Sequence, residues 1–125
     1  LTDSISLRSL KVRGNHGWFD FERVEGQEFV IDAVLEMDLA LAAATDDLAD
    51  TFSYIDLGEK LQEIVAGEPV KLIETLAERL VAACLSDQRV SAATITVHKP
   101  QAQLPFQFED VAVTIRREQQ PQQSA

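Results

Sequence analysis

The sequence has 125 residues, 11 basic and 21 acidic side chains for a formal net charge of −10, and 46% hydrophobic residues. That length suits one domain, able to bury roughly two-thirds of its unfolded surface without metal or disulfide staples, and that apolar content excludes disorder over most of the chain. The acidic excess repels phosphate backbones and anionic lipid surfaces, and no apolar run nears the ~18 residues of a membrane span, so neither nucleic acid nor membrane is an expected partner.

In chain order, DSISLRSLKVRGN at 3–15 alternates in two phases, Ile5 with Leu7 and then Leu10 with Val12. The phase change predicts a strand with a bulge near Arg8-Ser9. NHGWFDFERVEGQ at 15–27 has two glycines and no clean period, and reads as a connection. QEFVIDAVLEMDLA at 27–40 alternates well: Phe29, Ile31, Ala33, Leu35, Met37 and Leu39 face one way, and Asp32, Glu36 and Asp38 the other. This predicts a long, half-buried strand. AAATDDLADTFS at 42–53 reads as a polar-ended connection.

YIDLGEKLQEIVAG at 54–67 sets Ile55, Leu57, Leu61, Ile64 and Val65 at helical spacing, with Gly67 as the stop. Pro69 separates a second helix in KLIETLAERLVAACLSD at 71–87, with Leu72, Ile73, Leu76, Leu80, Cys84 and Leu85 on one stripe. RVSAATITVHK and DVAVTIRRE supply a third and a fourth strand, and the polar tail from 118 to 125 is expected to be disordered. The order β-β-α-α-β-β predicts an α+β fold, an antiparallel sheet with both helices on one face. Its two open edges invite assembly into a closed homo-oligomer.

Metal-binding spacing is absent. His16, His98 and Cys84 are too few and too scattered for zinc, and Asp46, Asp47 and Asp50 lack the glycine and terminal glutamate of a calcium loop. No phosphate-binding glycine loop or nucleophile elbow occurs. Cys84 reads as a small core residue that has no disulfide partner, which fits a reducing cytoplasm. Leu1 is not methionine, and no basic-then-apolar segment follows it, so a trimmed start without a signal peptide is expected. Four polar side chains stand apart: Lys99 at a strand end before Pro100, Glu74 in the first turn of the second helix, Tyr54 opening the first helix, and Glu22 between two glycines. Each alone has an ordinary explanation as a solvated charge, a helix-dipole partner of Lys71, a packing residue or an exposed loop acid.

Together they form a pattern. HGWFDFERVEGQEFVID (His16, Gly17, Glu22, Gly26, Gln27, Phe29, Asp32), TDDLADTFSY ending on Tyr54, LIETLAE carrying Glu74 and VHKPQAQLP carrying Lys99 occur in this order over nearly the whole chain. In these blocks the chain resembles the dihydroneopterin aldolases of folate biosynthesis. The resemblance implies a single T-fold catalytic domain over 1–117. It also implies a barrel-like ring of four subunits stacking into an octamer, with active sites between subunits. The implied reaction is retro-aldol cleavage of 7,8-dihydroneopterin, a small-molecule pterin substrate, to 6-hydroxymethyl-7,8-dihydropterin and glycolaldehyde, with C2′ epimerisation as a side reaction. The ring's N5=C6 imine is the electron sink, so no cofactor, Schiff base or metal is implied.

Carried over residue by residue, Glu74 binds the pterin edge, and backbone groups around Leu72, Ile73 and Phe52 are secondary contacts. Lys99 works through an ordered water in proton transfer. Tyr54 protonates the enol from a neighbouring subunit, and Glu22 orders water near the reacting side chain. His16 is expected to be structural. Gln103 stands where the family pattern has proline, Phe52 is bulkier than expected, and Asn15 replaces an aromatic. Two other readings remain: a dihydroneopterin triphosphate epimerase, disfavoured by the few basic residues, and a non-catalytic pterin-binding ring.

Overall fold

The structure, a computed structural model, describes residues 3–121. It contains four strands, β1 (Ser4–Gly14), β2 (Gln27–Glu36), β3 (Ala92–His98) and β4 (Ala112–Glu118), in one sheet of order β1-β2-β3-β4 with every neighbour antiparallel. Of its helices, α1 (Asp20–Glu25) and α2 (Ala40–Thr45) are short, and α3 (Tyr54–Ala66) and α4 (Ile73–Cys84) are the long pair. The α+β architecture matches the sequence reading. The two connections do not: α1 lies inside the first, and α2 with a 3₁₀ turn at Leu48–Asp50 inside the second. Six residues are under two turns, too few to display a 3.6-residue period. The apolar side chains of α1 also stay in solvent, Phe21 at 41% and Val24 at 80% exposed, so no buried stripe marks it.

The strand alternation translates directly into burial. Phe29, Ile31, Ala33 and Leu35 of β2 are fully buried, as are Ala93, Ile95 and Val97 of β3. α3 lies on β1 and α4 on β3 and β4, and the two helices touch each other. Leu57, Leu61 and Val65 of α3 and Leu76, Leu80 and Cys84 of α4 close one apolar cluster with the sheet. Both long helices therefore cover one face. The opposite face is polar, with Thr96 and Thr114 hydroxyls 2.9 Å apart and Arg116 Nε donating to Glu36 Oε2 at 3.0 Å.

The bulge falls where the phase change puts it. Pairing steps from Leu7↔Ala33 to Leu10↔Ile31, and Ser9 takes a left-handed φ of 58°. Ser9 N–H, turned out of the ladder, donates to Asp32 Oδ1 at 2.8 Å. α3 is capped at its start by Ser53, whose Oγ accepts from Asp56 N–H at 3.4 Å, and at its end by Gly67.

The domain boundary expected after residue 117 falls inside β4. Gln119 is also held, its Nε2 donating to Leu85 O at 2.8 Å, because its amide caps the turn between α4 and β3. Residues 122–125 of the expected tail lie outside the described residues. Among the described residues, no helix is long and apolar enough to cross a membrane.

Candidate active site

β3 ends at His98, and the next residue, Lys99, donates its backbone N–H to Val111 O at 2.7 Å, so the 99–111 connection closes at its neck. Pro100 fixes φ immediately beyond. Alternation along β3 turns Val97 and Lys99 to the helix face and His98 away from it. Lys99 Nζ reaches Glu22 Oε2 at 2.5 Å, and the two side chains are only 14% and 6% exposed.

The segment expected to be a connection holds Glu22 in α1, and the ordinary alternative of an exposed loop acid does not apply, because Glu22 is buried. Its Oε1 reaches back to Phe19 N–H at 3.3 Å, half of a capping box, and its Oε2 accepts from Gln27 Nε2 at 3.1 Å. Burial pushes the carboxyl pKa up, but Lys99, Phe19 N–H and Gln27 together outweigh it and hold it below its ordinary 4.5. Glu22 is therefore a carboxylate at neutral pH.

The approach is tight. A Cβ on Gly17 would fall 2.5 Å from Glu22 Oε1, so only glycine lets the chain cross the carboxylate there. Arg23 Nη1 holds this segment by donating to Gly17 O at 2.7 Å and Trp18 O at 2.8 Å.

The same segment is stitched to the link between α3 and α4. Gly17 N–H donates to Val70 O at 2.9 Å. His16 Nδ1 accepts from Val70 N–H at 3.0 Å, and its Nε2 lies 2.6 Å from Val65 O. One nitrogen must accept and the other donate, so His16 is the neutral Nε2–H tautomer. Burial lowers its pKa, the Val65 carbonyl opposes this, and Arg79 adds to the lowering. The structural role expected for His16 holds, through partners at the end of α3 and ahead of α4. Lys71, which could have paired with Glu74, instead places Nζ 5.6 Å from the Trp18 ring centroid.

Directly after Val70 and Lys71 comes the start of α4. Leu72 is the N-cap with no side-chain cap bond, and Ile73 and Glu74 form the first turn. Amide N–H groups of a first turn have no intrahelical partner. Glu74 is exposed, whereas the Ile73 side chain is buried, so Ile73 has only backbone to offer a ligand.

The structure thus brings Glu22 and Lys99 into contact and sets Leu72, Ile73 and Glu74 beyond the shared Gly17–Val70 stitch. It separates Tyr54 and Phe52 from them. Tyr54 begins α3 while Val65, near its end, meets His16, an axial distance of roughly 16 Å at 1.5 Å per residue. Tyr54 is 66% exposed and lines, with Phe52, Ile5, Leu39 and Ala42, an apolar cleft of about 540 Å³. Phe52 also lines a larger cleft of about 830 Å³ with Lys60 and Arg89. The cleft beside Glu22, between Phe21, Gln27, Gln101 and Gln103, holds about 160 Å³, below the usual few hundred Å³ of a complete small-molecule pocket.

Gln27 is a candidate that the sequence reading assigned no role. Its Nε2 is spent on Glu22, and its Oε1 is buried with no partner among the described residues. The only signal for it in the sequence is its place in the Gly26-Gln27 pair.

A family model described as dihydroneopterin aldolase (FolB) matches residues 5–116. The dihydroneopterin aldolase of Streptomyces coelicolor is 49% identical over 115 residues, covering 92% of this chain and 97% of the relative. That of Bacillus subtilis is 40% identical over 116 residues, with the same two coverages of 92% and 97%. The solved structure of the Escherichia coli enzyme in complex with neopterin superposes with a TM-score of 0.83 at 31% identity, over 93% of this chain and 99% of that one. Shared sequence and fold thus run nearly from end to end, and this chain belongs to the dihydroneopterin aldolase family.

Proposed function

We propose that this chain cleaves the side chain of 7,8-dihydroneopterin by a retro-aldol reaction, and that Glu22, Gln27, Lys99 and Glu74 do so with Tyr54 of a second copy. The observation that carries this reading is the buried Lys99–Glu22 pair at 2.5 Å, joined through the Gly17–Val70 hydrogen bond to the segment that opens α4 and bears Glu74.

Glu74 accepts from the pterin 2-amino group and N3–H, two parallel donors matched by two carboxylate oxygens. The N–H groups of Ile73 and Glu74 and the Leu72 backbone serve the rest of that edge, and the Phe52 backbone, from the second copy, lies against the ring. The neopterin arm then points toward Lys99. The 2′-hydroxyl loses its proton to a water held by Lys99 and Glu22, and Gln27 Oε1 accepts from a hydroxyl of the arm or from that water. The C1′–C2′ bond breaks. C2′ and C3′ leave as glycolaldehyde, and the electron pair passes through C1′ into the N5=C6 imine. Tyr54 O–H returns a proton to C1′, giving 6-hydroxymethyl-7,8-dihydropterin. Re-addition of a rotated glycolaldehyde before that step gives the C2′ epimer.

The separation of Tyr54 from the His16 end of α3, roughly a helix length at 1.5 Å per residue, is bridged if the open edges of β1 and β4 join copies into a ring of four, and two rings stack as an octamer. Among the lining residues of the Glu22 cleft, Glu25, Gln101 and Gln103 carry no cation for a triphosphate, and the nearby Arg13 guanidinium is spent on Glu25 O and Gly26 O, which favours the aldolase over a triphosphate epimerase.

Incubation with 7,8-dihydroneopterin tests the reading: glycolaldehyde is expected. Lys99→Ala is expected to lower kcat by at least 10²-fold, in the range of lost acid–base groups, with pterin binding retained. Glu74→Ala is expected to abolish pterin binding. Pterin binding without release of glycolaldehyde would leave only a pterin-binding ring, and an unchanged kcat in Lys99→Ala would remove Lys99 from the reaction.

A further inference from the structure

Behind Lys99, on the polar face of the sheet, lies a second constellation that the reaction above does not use. His98 Nε2 is 2.7 Å from Asp32 Oδ2 on β2, and His98 Nδ1 is 2.6 Å from Asp110 Oδ2 in the connection to β4. Asp32 is further occupied through Oδ1 by Ser9 N–H at the β1 bulge. Carboxylates only accept, so an imidazole bonded to one at each nitrogen donates twice and is an imidazolium. One ring therefore ties the bulge of β1, strand β2, the end of β3 and the far end of the 99–111 connection. The backbone bond from Lys99 N–H to Val111 O lies directly beside it. Beyond that neck, Gln101 Oε1 accepts from Glu28 N–H at 3.0 Å and forms one wall of the Glu22 cleft.

We propose that His98 is a positioning residue for Lys99: held between Asp32 and Asp110, it closes the neck of the 99–111 connection and sets the angle at which the Lys99 ammonium meets Glu22. Nothing in the reaction requires His98 to touch substrate, since it faces the opposite side of the sheet.

The charged groups facing the ring are Asp32 from β2 and Asp110 from the connection. Arg8 at the bulge of β1 acts on Asp32, and the Lys99–Glu22 pair lies across the strand. Bonds to Asp110 and then Asp32, opposed by partial burial, hold the imidazolium above its ordinary 6.5. A pKa raised in the folded state means the clamp is complete below the unfolded value and is lost as pH rises through the folded one. Deprotonation leaves a ring lone pair against a carboxylate oxygen, and the neck loosens.

Only the kinetic half of the test rests on the aldolase reading. Two variants separate the cases: His98→Gln, whose amide can donate to one carboxylate but not both, and Asp110→Asn, which keeps an acceptor and removes the charge. Exchange of the Lys99 amide, followed by NMR from about pH 5.5 to about 8.5 across the histidine range, reads the neck itself. On the acid side, His98→Gln is expected to exchange on the order of tenfold faster than wild type, the size of a lost charge-assisted bond, and the ratio should approach one as the wild-type ring deprotonates.

In parallel, kcat for dihydroneopterin cleavage should carry an ionisation above pH 6.5 in wild type. That ionisation should vanish in His98→Gln and move to lower pH in Asp110→Asn, with KM changed by less than about twofold because Glu74 grips the ring independently. Equal amide exchange in His98→Gln and wild type at acid pH overturns the proposal, whether or not the protein cleaves pterin. A lower kcat with an unshifted pH profile also overturns it. A wild type that fails to cleave but keeps the pH-dependent exchange difference supports the clamp and overturns the aldolase reading.

Discussion

At the scale of single residues, function turns on how few alternatives each position admits. Gly17 is set by steric contact with Glu22, so Gly17→Ala must push the carboxylate off Lys99. We expect a fall in kcat of at least 10-fold with the fold retained, checked by steady-state kinetics beside a circular dichroism melt. His16 is buried, neutral and bonded at both nitrogens. His16→Ala leaves Val65 O and Val70 N–H without partners and opens a cavity, and we expect a loss of about 2–4 kcal/mol in urea unfolding. Because burial lowers the His16 pKa in the folded state, its contribution is complete above the unfolded value near 6.5 and declines as pH falls through the folded one. Glu22 behaves likewise lower down: its support is complete above about 4.5 and is lost as pH falls through its depressed value. The urea midpoint of Glu22→Gln should accordingly show a shallower dependence on pH in the acid range than wild type. Cys84, buried in α4 with its thiol pushed up to about 11, should resist alkylation until the protein unfolds.

At the scale of elements, the periodic segments were legible and the short ones were not. β2 declares itself by alternation because one of its faces is wholly buried, and the same rule located the β1 bulge from a slip in phase. α3 and α4 declare themselves through stripes that meet the sheet. α1 has no such stripe, yet it carries Glu22, so the element of most interest to the chemistry was read as loop. What buries Glu22 is Lys99, far along the chain, together with the Gly17 crossing before α1 and Gln27 at the start of β2. The two long helices carry much of the core. Leu61, fully buried in α3, should cost about 2–5 kcal/mol on truncation to alanine, read from the urea midpoint.

At the scale of the molecule, the proposed reaction divides the site residues of one chain into two groups. Glu22, Lys99 and Glu74 lie toward the end of α3 marked by Val65, and Tyr54 and Phe52 at its beginning. A site completed across copies predicts complementation. Lys99→Ala and Tyr54→Ala should each be nearly inactive, while an equal mixture refolded together should regain about a quarter of wild-type activity, the random chance of one intact Lys99 meeting one intact Tyr54. Recovery of nothing, with mixed oligomers verified by mass spectrometry, would place all five groups in one copy. The net charge of −10 bears on the same scale, because a cleft walled by Glu22, Glu25 and glutamines suits a neutral polyol better than a phosphate.

The order and type of the long elements, the bulge, the apolar faces and the four site blocks were written in the sequence, since each depends on local period, on turn chemistry or on residue identity at fixed spacing. Only the folded chain decided that Glu22 is buried and paired, that Gln27 has an oxygen to spare, that His98 is held between two carboxylates, and that Tyr54 stands at the opposite end of α3 from the Val65 carbonyl that meets His16. The decisive pairings, Glu22 with Lys99 and His98 with Asp32, join residues far apart in the chain. Their distances follow from how the sheet and helices pack around a shared core, and local pattern carries no information about that packing.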